Sequence, residues 1–292
     1  MGDISNHAVL RAGRGVFRIL QVTDIHGDEC ENDNEHTRAD ITAMVHGWRP
    51  DFIAVTGDLW CSDTNPETAP MWMTRELRFF GGLGVPWAFI PGNHDYIPDW
   101  DTVHARIAAA PNAVAPQGNG RGAFRVEIVF GQPGVSWPAW DVFFLNSGAA
   151  WHVPEDLEWF VEESERLTRT RECIVPAIMF SHIPLGDHQQ AVDEGRARGI
   201  VLEEARGWGD DDRRGAEMVR RRRNVRACFC GHFHRNNYCF EDQEMLCVAS
   251  RATGYGGYGH DTTPKGGTLI ELGLESERVS FMTVFADGTT WT

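Results

Sequence analysis

Side chains that bind metal ions recur along this sequence in short blocks, each directly after an apolar segment. In chain order the five blocks are Asp24-x-His26, Gly57-Asp58, Gly92-Asn93-His94-Asp95, Ser181-His182 and Gly231-His232-x-His234. Carboxylate oxygens, amide oxygens and imidazole nitrogens are ligands for hard and borderline metal ions. One block alone is a weak signal, because Gly-Asp or a single His occurs in many proteins. All five in this order predict a site for two adjacent metal ions.

The spacing within the blocks indicates how the donors converge. Asp24 and His26 lie two residues apart, so on an extended segment their side chains point the same way. Asp58, at a neighbouring strand end, is the natural bridge between two ions. Because no cysteine belongs to the set, we expect two divalent or mixed-valence ions such as Mn, Fe, Zn or Ni, rather than Cu(I). Further imidazoles come from His182, His232 and His234.

Two cations around one shared carboxylate suit the hydrolysis of phosphate esters, whose oxygens repel an incoming nucleophile. Ions about 3.5–4 Å apart neutralise that charge and lower the pKa of a bound water toward about 7. The leading hypothesis is in-line attack on phosphorus by a hydroxide that bridges the ions. Asp58 is then the shared ligand.

Short apolar runs place these blocks at strand ends. Near-continuous apolar runs predict strands that are buried on both faces. Strand–helix alternation predicts parallel pairing with right-handed crossovers, in which functional groups gather at the carboxyl ends of the strands. The runs are Val16–Val22, Phe52–Thr56, Trp87–Ile90, Ala177–Phe180 and Ala227–Cys230. Helical patterns cover Ile41–Trp48, Trp72–Leu83 and Pro154 to about Thr170.

The middle and the end of the chain predict hairpins. Six further strand-like runs with short turns indicate an antiparallel contribution, so we expect two mixed sheets packed face to face with helices outside, as a single domain over residues 1–292. The polar stretch 186–215 predicts an excursion near the mouth of the site. The six runs are Ala123–Phe130, Val142–Leu145, Tyr238–Phe240, Met245–Ala249, Thr268–Leu272 and Arg278–Val284.

Composition restricts partners and compartment. The formal net charge of −15 disfavours nucleic acid as a general partner. The cluster Arg213, Arg214 and Arg220–Arg223 fits either a phosphate or nucleic-acid patch or a solvated helix face, and we favour the helix face. Neither a signal-peptide start nor a run of 18 apolar residues is present, so we expect no membrane association. Seven cysteines without paired spacing predict reduced thiols in a cytoplasmic protein.

At the five blocks the sequence resembles the calcineurin-like metallophosphoesterase superfamily. The pattern D-x-H, GD, GNH-D/E, H and GH-x-H is matched in full from Asp24 to His234. The resemblance implies an α/β fold, the four-layer αββα sandwich, and a two-metal hydrolase. It implies a first metal held by Asp24, His26, Asp58 and His234, and a second held by Asp58, Asn93, His182 and His232. It also implies that His94 protonates or stabilises the departing alkoxide and that Asp95 orients the His94 ring.

A narrower resemblance links two segments to the short purple-acid-phosphatase-like branch found in plants and fungi. The segments are Phe180–Leu185 and Ala252–Gly259. True purple acid phosphatases place a metal-binding tyrosine three residues after the second-block aspartate, where this chain has Cys61. His26 fills a first-block position that those enzymes leave as glycine. We therefore expect no charge-transfer colour, and a dependence on ferric iron is in doubt.

The substrate is predicted to be a small-molecule phosphoester. The narrower resemblance favours a phosphomonoesterase, and a phosphodiesterase acting on a cyclic nucleotide or other small diester is the alternative. The loop Gly254–Tyr258 is either a turn with surface aromatics or part of the pocket, because glycine lets backbone amides approach phosphate oxygens. Predicted substrate contacts are Asn93, His94, Arg235, Arg251 and Tyr255.

Two other functions compete with hydrolysis of small phosphoesters. A nuclease would find its only support in the arginine cluster. A non-catalytic scaffold on the same fold would normally have lost metal ligands or the acid, and here none is missing.

Overall fold

Two mixed β-sheets pack face to face, and helices cover the outer face of each. This computed structural model describes residues 7–61, 67–95, 99–114, 122–132, 135–147, 154–185, 188–206 and 213–292. The arrangement within these ranges confirms the predicted four-layer αββα sandwich.

The six-stranded sheet contains the strands that precede the first three blocks. Three of its strands are parallel neighbours, and a helix connects each to the next. In spatial order the sheet runs β14 (Thr290–Trp291), β13 (Val279–Val284), β12 (Gly267–Gly273), β2 (Val16–Val22), β3 (Phe52–Thr56) and β4 (Trp87–Ile90). The helices from this part of the chain are α1 (Glu31–Trp48), α2 (Ala69–Gly82) and α3 (Trp100–Ala109).

The eight-stranded sheet contains the strands that precede the last two blocks. Four strands in its middle, β6, β7, β9 and β11, are parallel neighbours. In spatial order the sheet runs β1 (His7–Arg11), β5 (Phe124–Gln132), β6 (Val135–Phe144), β7 (Ala177–Phe180), β9 (Val225–Cys230), β11 (Met245–Ala249), β10 (Asn237–Asp242) and β8 (Arg198–Ile200). The helices from this part of the chain are α4 (Pro154–Arg171), α5 (His188–Asp193) and α6 (Arg213–Arg222).

Three apolar layers fill the spaces between the four structural layers. Alternate residues of one strand serve different layers: Ile19 of β2 points between the sheets, whereas Leu20 packs under α1 beside Met44. Both side chains are fully buried. Burial on both faces explains why the strands appear as continuous apolar runs in the sequence.

Strand β6 begins earlier than predicted. It starts at Val135 rather than Val142, and Pro138 lies within it. Proline cannot donate a ladder hydrogen bond, and it is tolerated here because the pairing register with β5 shifts between Ile128 and Val129, opposite this residue. Because of this proline, the sequence pattern did not predict the part of the strand before Val142.

The excursion at 186–215 contains structure that the sequence pattern did not predict. Helix α5 and strand β8 lie within it, and β8 adds to the edge of the eight-stranded sheet beside β10. Residues 186–187 and 207–212 of this segment lie outside the described residues. Among the helices that the structure describes, none is both long and apolar enough to cross a membrane.

Histidine 188 gives the fold a predictable dependence on pH. The side chain is 4% exposed, Nδ1 lies 3.0 Å from the Tyr238 hydroxyl, and burial lowers the pKa of His188 to about 3. Because an unfolded histidine titrates near pH 6.5, the unfolded chain binds the proton first as pH falls. This residue therefore stabilises the fold above that pH and loses its contribution as pH drops toward 3.

We expect His188→Gln to flatten the pH dependence of unfolding. Between pH 7 and pH 4 the wild type should lose about 3 kcal/mol more than the variant, since each pKa unit is worth about 1.4 kcal/mol. Urea unfolding at the two pH values measures the difference. Equal losses in both proteins would contradict this assignment.

Candidate metal centre

The seven predicted ligands lie where the carboxyl ends of five strands meet. Each ligand-bearing segment follows β2, β3 or β4 of one sheet or β7 or β9 of the other. The two sheets therefore share one site at a common edge. Six of the ligands form two overlapping clusters of carboxylates and imidazoles whose donor atoms lie within 4.8 Å of one another, and Asp58 belongs to both.

The first cluster contains Asp24, His26, Asp58 and His234, all buried. His26 Nε2 lies 3.2 Å from His234 Nε2 and 3.5 Å from Asp58 Oδ2. His234 Nε2 lies 3.3 Å from Asp24 Oδ1. Donor atoms about 2.0–2.2 Å from one ion are separated by roughly these distances. The spacing fits a single ion.

The second cluster shares the same aspartate. Asp58 Oδ2 lies 3.1 Å from His182 Nε2, and His232 completes the cluster. Asn93 Oδ1 lies 3.2 Å from the same His182 nitrogen, which adds the amide oxygen to the set. One oxygen of Asp58 therefore faces His26 on one side and His182 on the other, as a bridging ligand would.

Backbone strain concentrates at the ligands. Asp24, His26, Asp58 and His232 have φ values of 55°, 52°, 51° and 75°, in the left-handed region that non-glycine residues seldom occupy. Such conformations cost of order 1–3 kcal/mol each and persist where the surroundings hold them. The His232 amide donates to both oxygens of Asp24 at 3.1 Å, and the amides of Ile25 and His26 donate to the Asp58 carbonyl.

Glycine is required next to the ligands because of close approach. A Cβ on Gly57, whose φ is +94°, would lie 2.4 Å from Nδ1 of His182. A Cβ on Gly92 would lie 2.2 Å from Asp58 Oδ1, although no positive φ is involved there. Gly57 is therefore required both by its positive φ and by the nearby ring, whereas Gly92 is needed to bring two strand ends together.

The carboxylates of the site are held ionised. Burial alone would raise the pKa of Asp58, but the neighbouring imidazoles of His182 and His26 hold it well below its usual range. Burial opposes ionisation of Asp24 in the same way, and His234 and His182 outweigh it and lower the Asp24 pKa. Two buried carboxylates so close together attract cations strongly.

The histidines divide into two electrostatic groups. Burial lowers the pKa of His26 to about 3 and, with His182 nearby, that of His232 to about 4, so both rings are neutral as metal ligands must be. Burial also opposes the charged form of His182, but Asp58 and Asp24 raise its pKa to about 10. A metal ion at His182 must therefore displace a proton from this ring.

Backbone carbonyls orient two of the rings. His182 Nδ1 lies 2.9 Å from the Thr56 oxygen, and His234 Nδ1 lies 3.1 Å from the Tyr258 oxygen. A carbonyl accepts a hydrogen bond from Nδ1–H, which leaves the Nε2 lone pair for a metal ion. The orientation of these donors fits a metal site.

Asp95 has other partners than the sequence predicts. It is fully buried, and its Oδ1 accepts from the amides of Leu59 and Trp60 at 2.8 and 3.0 Å. Its Oδ2 accepts from the Gly92 amide at 2.7 Å. Asp95 thus ties the Asp58 segment to the Asn93 segment, and its orientation of the His94 ring stays a prediction.

A cavity of about 300 Å³ opens over the clusters. His94 lines it, and the centroid of its ring lies 5.0 Å from that of His26. The amide of His94 donates to Asp58 Oδ1 at 2.9 Å, which links the two residues. The wall away from the ligands includes Glu203, Glu204, Arg206 and Tyr258, of which only Tyr258 belongs to a segment that the sequence offered as part of the pocket.

Of the predicted substrate contacts, Asn93 and His94 line the cavity, whereas the other three are not among the described residues of its lining. The Tyr255 hydroxyl donates to Asp40 Oδ2 at 3.0 Å, so this ring packs on α1. Arg251 is 2% exposed, and the Arg235 guanidinium lies 5.5 Å from the centre of the Tyr258 ring. The role of Arg235, Arg251 and Tyr255 as substrate contacts stays a prediction, because their burial and the direction of the loop are not visible in the sequence. The second tyrosine of the glycine-rich loop, Tyr258, is the one at the cavity.

The chain is similar to known phosphoesterases and phosphatases both in sequence and in fold. Residues 17–236 match the family model of the calcineurin-like phosphoesterases. The probable inactive purple acid phosphatase 28 of Arabidopsis thaliana is 25% identical, over 90% of this chain and 77% of its own length. The crystal structure of a dimetal phosphatase from Danio rerio has a TM-score of 0.64 at 11% identity, and the match covers 96% of this chain and 99% of that chain.

A second solved structure has the same fold. The purple acid phosphatase PPD1 from yellow lupin (Lupinus luteus) has a TM-score of 0.56 at 14% identity, and the match covers 94% of this chain and 52% of that chain. At such identities these structures show a shared fold. The family match spans well over half of the sequence and contains the whole ligand set, and the chain therefore belongs to the calcineurin-like phosphoesterase family.

Proposed function

We propose that this protein hydrolyses phosphate esters at a dinuclear metal centre. The observation that carries the proposal is the pair of ligand clusters that share Asp58 beside His94. When bound, two ions supply charge neutralisation at the phosphate and a lowered pKa of bound water. The nitrogen and oxygen donors fit Mn, Fe, Zn or Ni. Asp24, His26, Asp58 and His234 would hold one ion, and Asp58, Asn93, His182 and His232 the other.

The residues of the chain have separate tasks in this proposal. Oδ2 of Asp58 lies between His26 of the first cluster and His182 of the second, so it links the two clusters. The other oxygen, Oδ1, accepts a hydrogen bond from the His94 amide. His94, at the cavity wall, donates a proton to the departing oxygen of the ester. Asp95 keeps the segments of Asp58 and Asn93 in register through three backbone amides.

The word inactive in the names of the Arabidopsis relatives makes activity the first question for this chain. Loss of activity in such a fold is expected to accompany loss of a ligand or of the acid. This chain retains seven ligands and His94 around one cavity. We therefore propose that it is an active enzyme.

A phosphomonoester of a small molecule is the first substrate class that we propose. The relatives named purple acid phosphatases support it. The test compares turnover of p-nitrophenyl phosphate and bis(p-nitrophenyl) phosphate by protein loaded with the same metal. Preferential turnover of the monoester supports this class. No turnover of either substrate by protein that holds two ions would refute the proposed function.

A phosphodiesterase is the second candidate, and one observation favours it. A dianionic monoester benefits from an arginine beside the metals, yet Arg235 and Arg251 are not among the described residues that line the cavity. Arg206 is the one cationic side chain in that described lining, and it is exposed. Preferential turnover of the diester would establish this candidate.

The surface features give less support to a nuclease. Arg220 pairs with Asp242, Arg222 with Glu165 and Arg221 with Glu217, so these three charges of the arginine cluster are already neutralised. The side chains of Arg213 and Arg214 lie outside the described residues.

We also propose a reducing, cytoplasmic location. The seven cysteines, all of which the structure describes, are free thiols, and Cys228, Cys230 and Cys247 are buried. Unpaired buried thiols are usual where glutathione and thioredoxin keep cysteines reduced.

A further inference from the structure

The chain contains one lysine, and it is buried behind the metal centre. Lys265 is the only lysine among the 27 lysine and arginine residues, and its side chain is 4% exposed. Its Nζ donates to the backbone oxygen of Tyr258 at 3.0 Å. Burial lowers the pKa of this ammonium to about 8, so the charged form still predominates at neutral pH. Burial of an ammonium costs free energy, which hydrogen bonds and nearby carboxylates must offset. The Tyr258 carbonyl supplies such a hydrogen bond, and Asp24, Glu203 and Asp261 supply negative charge nearby.

The same carbonyl orients a metal ligand. His234 Nδ1 lies 3.1 Å from the Tyr258 oxygen, so this oxygen accepts from the lysine and from the histidine together. The Tyr258 ring also stacks on the His234 ring, with centroids 4.0 Å apart and planes 7° from parallel. Tyr258 thus contacts His234 through both its backbone and its side chain.

The segment that contains this carbonyl is rich in glycine. Four of the six residues from Gly254 to Gly259 lack a side chain, and close approach explains why. A Cβ on Gly257 would lie 2.3 Å from His234 Cε1 and 2.9 Å from His26 Cδ2. A Cβ on Gly256 would lie 2.2 Å from the His26 carbonyl oxygen. The loop therefore packs closely against His26 and His234, two imidazole ligands of the first cluster.

Hydrogen bonds to Thr37 and Asp40 hold the loop at Tyr255, and the Tyr258 carbonyl needs a contact of its own. Glycine loses more conformational freedom on ordering than any other residue, so a run of glycines needs an external anchor. The second lone pair of the Tyr258 oxygen offers a point of attachment, and the Lys265 ammonium occupies it.

We propose that Lys265 is a positioning residue for the metal centre, which fixes the Gly254–Gly259 loop through the Tyr258 carbonyl and thereby holds His234 with Nε2 toward the first cluster. This inference rests on the proposed dinuclear centre. Partners that hold metal-binding histidines typically change metal affinity by about 10–100-fold when removed. The effect should fall on the cluster with Asp24 and His234 and spare the one with His182 and His232.

The test is metal binding by Lys265→Met, which keeps the length and the apolar stem of the side chain. After dialysis against buffered Zn²⁺, elemental analysis should find two ions per wild-type chain and one per variant chain. Competition with a chelator should show one affinity lowered at least about tenfold and the other unchanged. The matched control is Arg251→Met, which removes a nearby buried cation whose Nε and Nη1 have no hydrogen-bond partner among the described residues. It should retain both ions.

A measurement on the wild type makes the test independent of how the variant folds. With ¹³C-labelled lysine, the single side-chain CεH₂ signal belongs to Lys265, and it should shift during addition of the first two equivalents of Zn²⁺. A signal that stays in place while two ions bind overturns the inference, as does a variant with two ions at wild-type affinities. Both results leave the proposed function intact. A wild type that binds no metal overturns the proposed function and this inference together.

Discussion

Asp58→Asn is expected to lower phosphoester turnover by on the order of 10³-fold or more and to deplete bound metal. The substitution keeps the shape of the side chain, and Oδ1 can still accept from the His94 amide. What it removes is the negative charge on the oxygen between His26 and His182, and a neutral amide cannot draw two cations together. Metal content by elemental analysis and kcat/KM on p-nitrophenyl phosphate, measured on the same preparation, check both parts.

The control for this substitution is Asp99→Asn. Asp99 caps α3 by accepting from the Thr102 amide at 3.2 Å, and asparagine caps helices equally well. This variant should keep its metal and its turnover, which shows that the loss depends on the position of the aspartate. If Asp58→Asn retained wild-type turnover without bound metal, the shared-carboxylate model would be wrong.

The location of the ligands could be predicted because it follows from strand geometry. Buried strands appear as short apolar runs, and in parallel sheets polar residues directly after such runs meet at one edge. Asp24, Asp58 and His182 follow runs whose predicted bounds agree with β2, β3 and β7. The blocks did not have to be close in sequence, because the topology brings their strand ends together.

The surroundings of the ligands could not be predicted in this way. Whether Tyr255 or Tyr258 faces the cavity depends on how the loop crosses α1 and the ligand rings, which is a packing property of distant segments. The left-handed backbone at His26 and His232 likewise has no local sequence signal, because no glycine or asparagine occupies either position. The burial of Arg251, which is 2% exposed, is likewise invisible in the sequence.

The sequence pattern did not predict β8 and α5, two short elements of low apolar content, for a related reason. β8 has three residues, none of them fully buried, and α5 has six, so neither generates a periodic pattern. Both depend on tertiary contacts: β8 pairs with β10, and His188 of α5 contacts Tyr238. Yet the segment that follows them supplies Glu203 and Arg206 to the cavity wall. Part of the cavity wall therefore comes from the part of the chain that the sequence pattern describes least.

His94→Gln separates proton donation from metal binding. Because His94 lines the cavity and is outside both ligand clusters, the variant should retain two ions. Removal of a proton donor typically costs about 10²–10⁴-fold, and the cost depends on how much the leaving oxygen needs the proton. Hydrolysis of an alkyl phosphate should therefore fall by that factor, whereas p-nitrophenyl phosphate, whose phenolate leaves unassisted, should lose far less. Steady-state kcat for the two substrates measures the contrast.

The contrast between substrates is what identifies the role. An equal loss on both leaving groups would mean that His94 positions the phosphate without protonating the ester oxygen, and a loss of metal would mean that it supports Asp58 through their shared hydrogen bond. His46→Gln, on the exposed face of α1, controls for the substitution itself and should leave both rates unchanged. Since the glutamine backbone still donates to Asp58, any change that is specific to the alkyl ester must come from the imidazole.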